Sequence, residues 1–132
     1  MAFLLHEKLD DQTTFASAAR TVTFNPPQGA RGAIFYWRLS AVAGTTPSAT
    51  VKLQHGDATS ATFTDIDNGI SGALVAAGTE ILILDPVLPA DTTSPVRHVR
   101  TLLSATMAAV FAFDRAEANE TYTYTLSVDW IA

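Results

Sequence analysis

Cysteine is absent from the 132-residue chain, which removes disulfides, thiolate nucleophiles and cysteine-based zinc sites. Charge is scarce as well. Asp, Glu, Lys and Arg make up 16% of the residues, against about a quarter in an ordinary globular chain. Such scarcity fits either an outer surface covered by a partner or a plain surface of Thr and Ala. No basic cluster offsets the acids: eight Lys and Arg are dispersed among 13 Asp and Glu, for a net charge of −5. Without a concentrated basic patch to neutralise phosphates, nucleic acid is not an expected partner. No apolar run approaches the roughly 18 residues of a membrane span, so no membrane contact is expected either. The start, Met1 to Lys8, lacks the basic leader and apolar centre of a secretory signal, and synthesis and folding in a cytoplasm are the expectation.

What the chain does contain is a series of short alternating runs separated by Gly, Pro, Asn and Asp. Residues 20–24 alternate, with Val22 and Phe24 on one face, and stop at Asn25-Pro26-Pro27-Gln28-Gly29, since consecutive prolines donate no ladder hydrogen bonds. Residues 33–42 form a strand with Phe35, Trp37, Leu39 and Ala41 facing one way and Tyr36, Arg38 and Ser40 the other. After a turn at Gly44-Thr-Thr-Pro47, residues 49–55 resume with Val51 and Leu53 inward. Residues 57–72 read as a polar excursion around a short Phe63–Ile66 piece. Residues 79–84 are an apolar strand halted by Asp85-Pro86, and 86–95, with three prolines, is a crossing loop. A strand over 96–103 follows. The segment 103–113 suits a strand better than a helix, and 14–19 suits either. In 121–130, Tyr122, Tyr124, Leu126, Val128 and Trp130 share one face opposite Thr and Ser; this period-two run is a half-buried antiparallel strand.

This pattern predicts an all-β, single-domain antiparallel β-sandwich over 1–132, jelly-roll-like, with seven to eight strands. Residues 1–12 carry no turn signal and read as an N-terminal arm that contacts a partner.

The chemistry-bearing groups are few. Asp65-Ile-Asp67-Asn68-Gly69 departs from a calcium loop at three positions and reads as a polar turn. His6, His55 and His98 have no ligand spacing. His55-Gly-Asp57 lacks the Gly-x-Ser-x-Gly elbow that would make a hydrolytic triad credible. The expectation is therefore no catalytic residues, no metal and no cofactor. Trp37, Tyr122, Tyr124 and Trp130 sit on apolar faces and read as core rather than as a sugar-stacking platform. Tyr36 shares a face with Arg38, a pairing typical of interface hot spots.

The segment Gly32-Ala-Ile-Phe-Tyr-Trp-Arg-Leu-Ser-Ala-Val-Ala-Gly-Thr-Thr-Pro, continuing through Val51-Lys-Leu-Gln54 to Thr62-Phe-Thr-Asp-Ile66, together with Val96-Arg-His-Val-Arg100, resembles small structural proteins of tailed bacteriophages. The resemblance covers about half of the chain and lies in strand and turn residues. It implies a virion protein: a capsid decoration (cement) protein or another head or tail accessory, binding capsid or other virion proteins and self-associating, most readily as a trimer. It brings no catalytic residues. On this reading the partner-binding residues are Phe3, Leu4 and Leu5 of the arm, Tyr36 and Arg38, and Pro89 of the proline-rich loop. The competing expectation is a carbohydrate-binding β-sandwich module of a tail fibre or secreted protein, using Tyr36 or loop aromatics.

Overall fold

A computed structural model describes residues 2–57 and 59–132, and among them every regular element is a strand. The nine strands are β1 (Phe3–Phe15), β2 (Ala19–Phe24), β3 (Gly32–Ala43), β4 (Ala49–Asp57), β5 (Thr62–Ile70), β6 (Gly78–Leu84), β7 (Val96–Val99), β8 (Thr106–Phe113) and β9 (Thr121–Ile131). They form a five-stranded sheet, β1-β9-β3-β6-β7, and a four-stranded sheet, β2-β8-β4-β5. The order follows from one folding-back. The chain reverses between β4 and β5, and the later strands other than β7 then pair with earlier ones in mirror order: β4 with β5, β3 with β6, β2 with β8, and β1 with β9. Rolling this ribbon so that β9 also meets β3, and β8 also meets β4, gives the double-sheet jelly roll.

Side-chain period explains which faces meet. In β9 Tyr122, Tyr124, Leu126, Val128 and Trp130 are fully buried, and in β3 Phe35, Trp37 and Leu39 join them. From the other sheet come Val51, Leu53, Met107, Ala109 and Phe111. The aromatics pack edge-on and tilted, with Phe35 against Trp130 at 5.8 Å and Phe111 against Tyr124 at 4.9 Å between ring centres, the separations such pairs prefer.

Five expectations need correction. The strands number nine because residues 1–12 are not a free arm: β1 pairs with β9 from Phe3 to Phe15. One pairing, β6 with β7, is parallel, and β7 ends at Val99 rather than at 103. The excursion over 57–72 holds a nine-residue strand, β5, in which the Asp65–Asn68 stretch lies. Finally, Ala41 is exposed, because a register shift between Leu39 and Ala41 moves it off the inner face. Segment 103–113 is indeed a strand from Thr106 onward.

The register brings distant segments to one end of the sandwich. The start of β1, the 25–31 loop, the end of β9, the segment leaving β6 at Asp85 and the 100–105 crossing all lie there. At the opposite end Gly44 turns with φ +107°, and a Cβ there would lie 2.6 Å from the Glu120 Cα, so no other residue fits without moving backbone.

Candidate interaction surface at the N-terminal end

Backbone hydrogen bonds assemble this end. The Arg31 amide donates to the Ile131 carbonyl at 2.8 Å, and the Ala132 amide to the Ala2 carbonyl at 2.9 Å. Asp85 shapes the neighbouring loop, its carboxylate accepting from the amides of Val87 (2.7 Å) and Leu88 (3.2 Å). The Asp85 amide in turn donates to the Val99 carbonyl. Together these segments enclose a shallow depression of about 270 Å³ lined by Arg31, Asp85, Val87, Leu88, Ile131 and Ala132. Around it the surface is unusually apolar. Of the eight large apolar side chains exposed among the described residues, five lie at this end: Phe3 (63%), Leu4 (43%), Leu5 (48%), Val87 (67%) and Leu102 (70%). Single exposed apolar groups are ordinary on any surface; five of them at one end make it the candidate surface.

Of the residues picked out by sequence, Phe3, Leu4, Leu5 and Pro89 lie at this end, Phe3 to Leu5 on the edge strand β1 and Pro89, exposed and next to Leu88, in the loop that leads to the opposite edge strand β7. Tyr36 and Arg38 do not. They stand mid-strand on the outer face of the five-stranded sheet, Tyr36 between Ser127 and Ile81, and Arg38 between Thr125 and Thr79. Tyr36 is half-buried, and burial together with the Asp129 carboxylate holds its phenol above the usual range. Strand addition onto β1 is poorly supported by its geometry. Three register shifts break its ladder, and bulges of this kind bend an edge away from further pairing.

The titratable groups are engaged separately. The His6 Nδ1 lies 2.5 Å from the Asp129 carboxylate on the outer sheet face, and the His98 backbone pairs with Asp91. Asp57 does not meet His55; it caps its own turn through the Thr59 amide and the Ser60 hydroxyl. Asp65 accepts from Gln54 at 2.7 Å and pairs with Lys52 at 3.1 Å, and these contacts hold its carboxyl below the usual range. Among the described residues no three His, Asp or Glu side chains converge as a metal site would require.

His55 lies under the 100–105 crossing, its ring nitrogens 3.1 Å from the Ser104 hydroxyl and 3.0 Å from the Thr101 hydroxyl. Burial lowers its pKa. A base with a depressed folded pKa binds fewer protons folded than unfolded near its ordinary value of 6.5. Its contribution to stability is therefore complete above that value and is lost as pH falls through the depressed one. Urea midpoints should fall between pH 7.5 and pH 5, and His55→Gln should flatten that decline.

Two buried polar contacts were invisible to pattern reading. Asp10, only 6% exposed, accepts from Arg20 at 2.8 and 3.0 Å and from the Tyr124 hydroxyl at 2.7 Å. Glu7 accepts the Trp130 indole N–H at 2.6 Å. Both tie the edge strand β1 to the core.

No protein-family model and no curated protein matches the sequence. Solved structures similar in shape include that of Broad Bean Stain Virus, with 11% identity and a TM-score of 0.44 over 96% of this chain and 86% of that one. Another is CBM28, a carbohydrate-binding module specific for non-crystalline cellulose, with 13% identity and a TM-score of 0.36 over 95% of this chain and 71% of that one. Both likenesses are distant.

Proposed function

We propose that the chain is a non-enzymatic structural subunit of a virion that attaches to a capsid surface through the N-terminal end of its sandwich, as a decoration protein does. One observation carries this reading: of the aromatics that could make a sugar platform, Trp37, Trp130, Tyr122 and Tyr124 are sealed inside and Tyr36 is half-buried on the outer sheet face, while aliphatic and Phe side chains are exposed at one outer end. Trp37, Trp130, Tyr122 and Tyr124 are at most 1% exposed, so none offers a ring face to a glycan. The exposed group instead has the chemistry of a protein contact, an apolar centre rimmed by Arg31 and Asp85. The jelly roll serves capsid and lectin domains alike, so the site and not the fold decides between them. The scarcity of charge and the resemblance of the strand motifs to phage structural proteins point the same way.

Point substitutions are the right probe, because deleting residues 2–9 would remove half of β1 from its own sheet. In Phe3→Ser, Leu5→Ser and Val87→Ser, the side chains are already solvated, so stability should change by no more than about 0.5 kcal/mol each. Binding to purified shells, read by co-sedimentation, should weaken on the order of tenfold for Phe3→Ser and further when the changes are combined. Undiminished shell binding by the triple variant, or saturable binding to a polysaccharide by the unaltered chain, would overturn the proposal.

A further inference from the structure

The four edges of the two sheets are protected very unequally. Edge β1 is broken by three register shifts. Edge β7 is four residues long, and its outer side is closed where His98 pairs with Asp91. Edge β5 carries Asp65 and Asp67, a left-handed residue at Asn68 (φ 60°) and a register shift against β4. These are the devices by which natural sheets discourage pairing with another chain. Edge β2 has almost none. Its six residues, Ala-Arg-Thr-Val-Thr-Phe, match β8 one for one without a shift. They contain neither Pro nor Gly, and three in succession are β-branched. Ala19, Thr21 and Thr23 are exposed. Among the described residues no backbone or side-chain group meets the amides and carbonyls that β2 turns away from β8.

We propose that β2 is a self-association edge: two copies of the chain pair β2 against β2, antiparallel about a two-fold axis, and join two four-stranded sheets into one. The inference rests on the assembly role proposed above for its purpose, though the contact itself is argued from the edge alone. A second copy suits the edge on charge. Arg20 is the single charged residue of β2, and its guanidinium is already held by the buried Asp10 carboxylate. Pairing therefore strands no charge, and like charges meet only if the axis passes through Arg20 itself. An isologous contact of this kind closes after two copies, so the geometry favours a two-fold assembly over the trimer expected from the sequence.

The absence of cysteine makes the test clean. Thr21→Cys and Thr23→Cys each place one thiol per chain on the edge, where facing residues of an antiparallel pair bring Cβ atoms to about 4.5–5.5 Å. A two-fold axis sets only one residue opposite itself, so the expected result is a two-copy mass for the unaltered chain by light scattering, and on mild oxidation a disulfide-linked dimer from Thr21→Cys alone, from Thr23→Cys alone or from an equimolar mixture of the two, formed faster than from Thr64→Cys on the β5 edge. The double change Thr21→Lys with Thr23→Lys should abolish the two-copy mass; should it fail to fold, the cross-linking arm still decides. A single-chain mass at high micromolar concentration, a three-copy mass, or cross-linking no faster at β2 than at β5 would overturn the inference. A single-chain species that still binds shells would remove the edge contact and leave the attachment reading standing; a two-copy species that ignores shells would do the reverse.

Discussion

Replacing Trp130 by alanine should lower folding stability by about 3–5 kcal/mol, the cost of emptying a large aromatic site in a packed core. The indole is fully buried, lies edge-on to Phe35 and tilted against Phe24 at 5.9 Å, and donates its N–H to Glu7. Alanine removes the packing and also leaves the Glu7 carboxylate without its partner, which loosens the start of β1. Thr125→Ala, on the opposite face of the same strand, should stay within about 0.5 kcal/mol. Urea unfolding of the two variants separates the faces directly, and equal effects would mean that the inward face of β9 has been misassigned.

Asp10→Ala should be the second large loss, about 2–3 kcal/mol. A fully buried ion pair broken on one side loses about 3–5 kcal/mol. Here the Arg20 side chain keeps 37% of its exposure, so water screens the cation left behind and the cost sits lower. The buried Tyr124 hydroxyl is also left without its acceptor. Burial alone would raise the Asp10 pKa, but hydrogen bonds from Arg20, Tyr124 and Gln12 outweigh it and leave the carboxyl below its ordinary 3.8. An acid with a depressed folded pKa stabilises fully above its unfolded value, and that contribution is lost as pH falls through the folded one. Acid titration of stability should thus lose a component below pH 3.8 that is missing from Asp10→Asn. A titration curve unchanged by that substitution would show that the Arg20–Asp10 contact carries no folding energy.

Legibility in the sequence followed the regularity of the ladder. β9 was readable because the shifts in its pairings place the extra residues on its partners and leave its own alternation unbroken, and β3 because it keeps register through Leu39. β1 was not: its three register shifts leave Leu4, Leu9, Thr13 and Thr14 without a partner on β9, so a 13-residue strand has no period-two signature. β5 failed for the same reason around Asn68. The acids inside, Asp10, Glu80 and Glu120, were unreadable in principle, because their burial depends on partners far away in sequence. Glu80, for example, takes the Gly72 amide and the Ser94 hydroxyl. For the candidate surface, Phe3 to Leu5 and the proline-rich loop were legible as exposed segments, but their meeting was a matter of strand order, which no local pattern encodes.

The mirror-order ribbon has a consequence for synthesis. The strands that close the five-stranded sheet come from opposite ends of the chain: Glu7 binds Trp130 across 123 positions and Asp10 binds Tyr124 across 114. A ribosome delivers β1 first and β9 last, so the β4–β5 hairpin can form while β1 still waits. Topologies dominated by such distant pairings fold slowly, and the waiting strands stay exposed to neighbouring nascent chains. The unguarded β2, which ends at Phe24, is made well before β8, which begins at Thr106, arrives to pair with it. Both β1 and β2 therefore find their strand partners only once residues 106–131, which carry β8 and β9, have been made.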